Sequence, residues 1–204
     1  MNTVSNVYYE ICSGIGYGHL KNGSKFLFDP EDYYKIKDTR WYVSYESERP
    51  YLINCKGQKM HSYILNCPSG YEIDHINLDT LDNRKSNLRI CTHQQNQCNQ
   101  PLQRNNTSGY SGVSFYPPRK KYRARIKVCQ HDIHLGYYNT LAEAVQARNV
   151  GMEYMFGEYG RYNDVPPASD SIRKYVYDQC VRFAELSVCK ALPFTVIQEK
   201  KNVG

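Results

Sequence analysis

Asp74 and His75 are neighbours, and Asn87 and Asn96 follow at a distance that a single hairpin can close. The Asp74 carboxylate and the Asn96 amide oxygen are hard donors. They suit Mg²⁺ or Mn²⁺ with the remaining positions open to water and phosphate. Adjacent strand residues point to opposite faces, so His75 cannot easily share a metal with Asp74. It is left to act as a base near neutral pH. An amide at Asn87 can hold the intervening loop and orient the imidazole. Metal-assisted hydrolysis with a histidine base is the chemistry this set can perform.

The surrounding residues predict the elements that would position it. Tyr71-Glu-Ile-Asp-His-Ile-Asn77 alternates apolar and polar residues, as a strand presenting Asp74 and His75 at its end would. Leu78 to Ser86 is rich in turn residues. Asn87-Leu-Arg-Ile-Cys91 predicts a second strand. Thr92 and Gln95 have the spacing of a capping box, so a short helix starts there and ends before Pro101. A strand–strand–helix hairpin then returns Asn96 to the first strand.

This segment resembles the HNH nuclease motif, in the variant carried by phage and intron-encoded homing endonucleases. The likeness runs through Asp74-His75, Asp82-Asn83-Arg84, Ser86-Asn87-Leu88-Arg89 and Asn96. It implies a ββα-metal module that cuts DNA, leaving 5′ phosphate and 3′ hydroxyl ends. By resemblance, Asp74 and Asn96 bind one Mg²⁺ or Mn²⁺ ion, His75 activates water, and Asn87 supports His75 as the second catalytic residue. Arg84 and Arg89 are expected to contact DNA. The third motif position falls on Asn96 and not on His93. Leu78 stands after Asn77 where the family has an Asn-Gly turn. Met60 to Leu65 resembles the lead-in of phage HNH motifs, with Ser62 in place of the usual Arg. His61 and His93 are read as structural or DNA-facing.

A second unit follows. Tyr122, Ala124, Ile126 and Val128 form one face of a strand, and Arg123, Arg125 and Lys127 the other. Arg119, Lys120 and Lys121 precede it, and no acid occurs from Asn105 to Lys127. Ile133, Leu135 and Tyr137 predict a second half-buried strand, and Val113 and Phe115 a third. Thr140 and Glu143 form another capping box, opening a helix to about Phe156 that Gly157 ends. A three-stranded sheet, one face on a helix and the other basic, can enter a major groove. There Arg119, Lys121, Arg123, Arg125 and Lys127 would meet phosphates and guanine edges. The pattern resembles the DNA-binding domain of plant ethylene-response factors (the ERF type), a module also fused to phage HNH nucleases. Ser111–Phe115, Tyr122–Ile126, His134–Tyr137 and Thr140 through Asn163 carry the likeness, with Tyr122 where tryptophan is usual.

The fold class expected is α+β: the nuclease module, then the three-stranded antiparallel sheet on one helix, then a C-terminal helix. The division is 1–66, a strand-rich lead-in; 67–103, the HNH motif; 104–109, a flexible linker; 110–163, the ERF-type domain; and 164–204, a helix and tail. In the lead-in, Lys25–Phe28, Trp41–Tyr45 and Tyr51–Asn54 read as strands and Pro30–Ile36 as a short helix. Ile172, Val176, Cys180 and Phe183 have helical spacing and read as core packing.

Composition agrees with a polyanionic partner. The net charge is +6, with a pI near 8.8. Tyrosine, at 20 residues against 6 Phe and 1 Trp, fits sheet-rich modules and nucleic-acid surfaces alike. The eight cysteines include no C-x-x-C pair, so the usual structural zinc signature is missing. With no signal peptide and no apolar run of spanning length, the expectation is a cytoplasmic protein, in a host cell if phage-encoded, with reduced thiols and no membrane. The reading is a site-specific endonuclease on double-stranded DNA, with no small-molecule cofactor and an open oligomeric state. The alternatives are a sequence-specific DNA-binding regulator with an inactive motif, and an RNA or restriction-type nuclease. Duplex DNA is favoured because its major groove admits a strand ribbon, which that of A-form RNA does not.

Overall fold

Two phenylalanine rings set how the chain begins. Strand β1 (Val7–Cys12) pairs antiparallel with β2 (Ile15–Leu20), and β2 with β3 (Lys25–Phe28). Gly16 lies opposite Phe28 and Gly18 opposite Phe26, with the rings so close that neither glycine has room for a Cβ. Glycine normally weakens a strand, which hides this hairpin from a propensity reading. A turn at Pro30–Asp32 leads into helix α1 (Tyr33–Ile36). Strands β4 (Trp41–Ser44) and β5 (Tyr51–Asn54) pair antiparallel before helix α2 (Met60–Ile64). Phe26, Phe28, Ile36, Trp41, Leu52, Met60 and Ile64 form the core. Trp41 is fully buried, and its indole N–H donates to the Ile36 carbonyl at 3.1 Å.

The structure is a computed structural model that describes residues 6–45, 49–102 and 104–186. Helices and strands are mixed throughout, as an α+β chain. It divides into two compact units, Met1–Asn96 and Gln97–Gly204. The first thus joins the strand-rich lead-in to the hairpin that follows it. That hairpin pairs β6 (Glu72–His75) antiparallel with β7 (Leu88–Cys91), and α3 (His93–Cys98) comes next. The capping box of α3 is reciprocal: the Gln95 amide N–H donates to Thr92 Oγ1 at 3.2 Å, and the Thr92 N–H donates to Gln95 Oε1 at 2.8 Å.

In the second unit β8 (Val113–Tyr116), β9 (Lys121–Val128) and β10 (His131–Tyr138) form an antiparallel sheet with β9 in the middle. Helix α4 (Leu141–Phe156) opens on the Thr140–Glu143 capping box and ends at Gly157. It covers the sheet with Ala144, Val145, Met152 and Met155. Helix α5 (Asp170–Leu186) adds Val176 and Cys180 to the same core, with Ile172 and Phe183 packed beside them. The segment read as a flexible connector is tied down where it meets β8. Ser108 Oγ donates to the Val113 carbonyl at 2.7 Å, and the Gly109 N–H donates to Asn106 Oδ1 at 2.7 Å. Short polar side chains that bond to nearby backbone hold it in place.

One register differs from the alternation expected. A bulge between His134 and Gly136, with Gly136 at φ +120°, shifts the rest of β10 by one residue. Tyr137 therefore sits opposite Arg123 on the basic face, and Tyr138 takes the inner position. No disulfide joins any of the seven described cysteines. Burial pushes the Cys180 thiol up to about 12 and the Cys91 thiol up to about 11, which makes them inert fillers.

Leu78 follows β6 at φ +69°, a left-handed conformation that costs a branched side chain about 1–2 kcal/mol. Leu78→Gly should relieve that strain at a smaller cost in unfolded-chain entropy, for a net gain of about 0.5–1 kcal/mol. Thermal melts of the two proteins check this. A lower Tm for the glycine variant would mean that Leu78 packing outweighs its backbone strain.

Candidate active site

β6 carries Asp74 and His75 at its end, and both are buried, at 5% and 4% exposure. Asp74 lies directly across from Arg89 on β7, whose Nε and Nη2 donate to Asp74 Oδ2 at 2.9 and 2.7 Å. Glu72, two residues before Asp74, accepts from Asn96 Nδ2 at 2.6 Å and meets His93 Nδ1 at 2.7 Å. The Asn96 bond holds the Glu72 carboxyl below its usual range, burial opposes this, and His93 adds to it. With its amide nitrogen committed to Glu72, Asn96 has its carbonyl oxygen at the other end of the amide.

The loop from Asn77 to Arg84 is stitched down at both ends. The Asn77 N–H donates to Asn87 Oδ1 and Asn87 Nδ2 donates to the Asp82 carbonyl, each at 2.9 Å. Asp82 is 1% exposed. Arg84 donates Nε to its Oδ1 at 2.8 Å and Nη2 to its Oδ2 at 2.7 Å. Burial alone would raise this carboxyl; the Arg84 bonds outweigh it and leave it lowered. Main-chain bonds join the loop to β3, with the Leu27 N–H donating to the Leu81 carbonyl and the Asn83 N–H to the Leu27 carbonyl, both at 2.9 Å.

His75 is held from two sides. The Asn83 side chain hydrogen-bonds its ring, and the His61 ring stands edge-on at 5.0 Å between centroids. Tyr51 flanks both imidazoles, at 5.7 Å from His61 and 6.1 Å from His75, with Lys59 Nζ 4.2 Å over the tyrosine face. Burial lowers the His75 pKa, while the Asn83 bond and the carboxylates of Asp74, Asp79 and Asp82 pull it partly back. Burial thus favours the neutral imidazole, the form a base requires. His61 goes further: burial, His75 and Lys59 push it down to about 3.

The structure therefore brings Asp74, His75, Asn87 and Asn96 into one hairpin and engages Arg84 and Arg89 with carboxylates there. Sequence reasoning missed Asn83, Glu72 and the place of His61 beside His75. Asn83 lies within the motif as a loop residue, but nothing in its spacing marks it as the imidazole partner. Among the described residues no three His, Cys, Asp or Glu side chains converge as a metal cage. One buried carboxylate and one amide are donors fit for an oxygen-preferring ion that keeps most of its water, so Asp74 and Asn96 suit Mg²⁺ or Mn²⁺.

On the sheet of the second unit, Lys121, Arg123, Arg125 and Lys127 share a face with aromatic rings set between them. Arg119 lies 4.6 Å over Tyr137 and Arg123 5.5 Å over Tyr116. Tyr137 also packs on His134 at 4.5 Å and on Tyr116 at 5.3 Å. Asp132 reaches this face and accepts from Arg125 Nη1 at 2.9 Å.

The folded chain keeps His61 neutral, whereas the unfolded chain protonates it near 6.5. Stability is thus full above pH 6.5 and falls as pH drops towards 3, by about 1.4 kcal/mol per pH unit for this one group. His75 acts in the same direction. Melts at pH 7, 6 and 5 should show a steep decline that His61→Phe flattens. An equal slope in the variant would contradict the buried neutral state.

A profile of the HNH endonuclease family matches residues 66–98. Two curated relatives are similar. Protein 3.8 of Escherichia phage T7 is 36% identical over 59 residues, 29% of this chain and 49% of that protein. An uncharacterized HNH endonuclease of Acanthamoeba polyphaga mimivirus is 27% identical over 136 residues, 64% of this chain and 70% of that protein. The chain thus spans about half the length of the phage protein. No solved structure matches it, and among the described residues no helix is long and apolar enough to cross a membrane. The hairpin that holds Asp74, His75, Asn87 and Asn96 is the part of the chain that the HNH endonuclease profile matches, and these likenesses support a nuclease.

Proposed function

We propose that the chain is a site-specific, metal-dependent DNA endonuclease of the HNH homing type. The observation that carries this is the buried imidazole of His75 next to the buried Asp74 carboxylate, inside the segment that matches the HNH endonuclease profile. His75 takes a proton from water as the water oxygen bonds to phosphorus, and the bond from phosphorus to the 3′ oxygen breaks. The leaving 3′ oxygen takes a proton from solvent, so the products carry a 5′ phosphate and a 3′ hydroxyl. Asn83 orients the imidazole, and Asn87 fixes the loop that presents Asn83. Asp74 and Asn96 hold the divalent ion, with Arg89 steadying Asp74. A cation held there stabilises charge developing on the phosphate and the leaving oxygen.

The second unit is the reader, an ERF-type domain that lays Arg119, Lys121, Arg123, Arg125 and Lys127 against the major groove of duplex DNA. Arg84 and Arg89 add contacts near the cut. With one motif per chain, a monomer nicks one strand per binding event unless two chains cooperate.

The test is cleavage of the chain's own flanking genomic DNA, with ends mapped on each strand. His75→Ala should lose cleavage by about 10²-fold or more and keep nearly the same DNA affinity. After chelation, Mg²⁺ or Mn²⁺ should restore the wild type. Activity of the variant within about tenfold of wild type would remove His75 as the base, and restoration by Zn²⁺ alone would remove the oxygen-ligand site.

A further inference from the structure

A groove of about 690 Å³ opens in the second unit where the basic end of the sheet meets the start of α5. Arg119, Lys121 and Tyr137 form its sheet side, and Ser171, Ile172 and Tyr175 its helix side. Among the described residues that line it, none is acidic. Its volume is that of a nucleotide-sized group and far exceeds a single small anion. It is also continuous with the basic face, because Arg119 and Tyr137 belong to both.

Helix α5 is anchored for this position. Val176 and Cys180 lock one side of it into the core, at 0% and 3% exposure. Tyr175, on the other side, is 45% exposed. Core packing alone explains the buried residues but not why a tyrosine and a serine of α5 line an open groove together with two cations. A lining of cations, hydroxyl-bearing residues and aromatic residues without a carboxylate is complementary to a phosphodiester backbone.

We infer that this groove carries the phosphodiester backbone of a DNA strand as it leaves the sheet face, which makes α5 part of the DNA-binding surface. The inference rests on the reading that the second unit binds duplex DNA. It adds a contact beyond the major groove that fixes position and carries no base information. Removing it should weaken binding to all sequences alike and leave their ranking unchanged.

The experiment measures duplex-DNA affinity of the full chain in a His75→Ala background, across a salt series. Ser171→Glu puts a carboxylate among the cations, and a glutamate in the first turn of a helix is favourable for folding. We expect affinity about fivefold to tenfold weaker at low salt, with the salt slope smaller by about one. Tyr175→Glu should act similarly from the next turn of the helix. Ser171→Ala, which adds no charge, should stay within about twofold of the parent. Melting of each variant checks that it is folded. If both glutamate variants bind like the parent while Arg123→Ala with Arg125→Ala weakens binding, the groove is off the DNA path although the sheet is on it. If the glutamate variants and the arginine pair all leave binding unchanged, the DNA-binding reading of the unit fails as well.

Discussion

Leu27 gives both of its main-chain hydrogen bonds to the loop that follows β6. Its N–H donates to the Leu81 carbonyl, and its carbonyl accepts from the Asn83 N–H. That exchange fixes a loop whose side chains are unusually polar for their burial. Asp82 and Asn83 are each 1% exposed and Asn87 6%. Buried polar groups persist only when their bonds are met, and these are met by one another and by β3. Asp82 is answered by Arg84, Asn87 by the Asn77 N–H and the Asp82 carbonyl, and Asn83 by His75. The aromatic core under β3 therefore reaches the imidazole through two residues. This gives the strand-rich lead-in a chemical purpose: it is the base plate of the loop that orients His75.

The hairpin itself was legible because its signals are local. Alternation over Tyr71–Asn77, turn residues over Leu78–Ser86 and the Thr92–Gln95 capping box predict β6, β7 and α3 within a residue or two. The same holds for α4, whose start and glycine end can both be read from spacing. What could not be read depends on distant partners. The β1–β2 hairpin survives two glycines only because Phe26 and Phe28 from β3 fill the space above them. His61 meets His75 because α2 packs Met60 and Ile64 into the core, and that packing aims the residue between them. Asn83 becomes the partner of His75 through a bond to Leu27, which lies 56 residues away.

A local irregularity had the largest effect on the second unit. Alternation assigns Tyr137 to the core with Ile133 and Leu135, yet the bulge before Gly136 turns it to the other side. The basic face thereby changes character. It is not a plain row of cations but cations stacked on Tyr116 and Tyr137, with His134 alongside. Stacking on a ring restrains a guanidinium before any partner arrives, which reduces the ordering cost of contact. Asp132 restrains Arg125 in another way, through an ion pair exposed enough to yield to a phosphate.

If the loop docked on β3 serves catalysis, Asn83 and His75 act as one unit. Single-turnover cleavage rates of Asn83→Ala, His75→Ala and the double variant, each shown to be folded and to bind DNA, test it directly. Asn83→Ala alone should lose about 10²-fold or more, and the double variant should be no slower than His75→Ala. Wild-type rates for Asn83→Ala, or losses that multiply in the double variant, would contradict it.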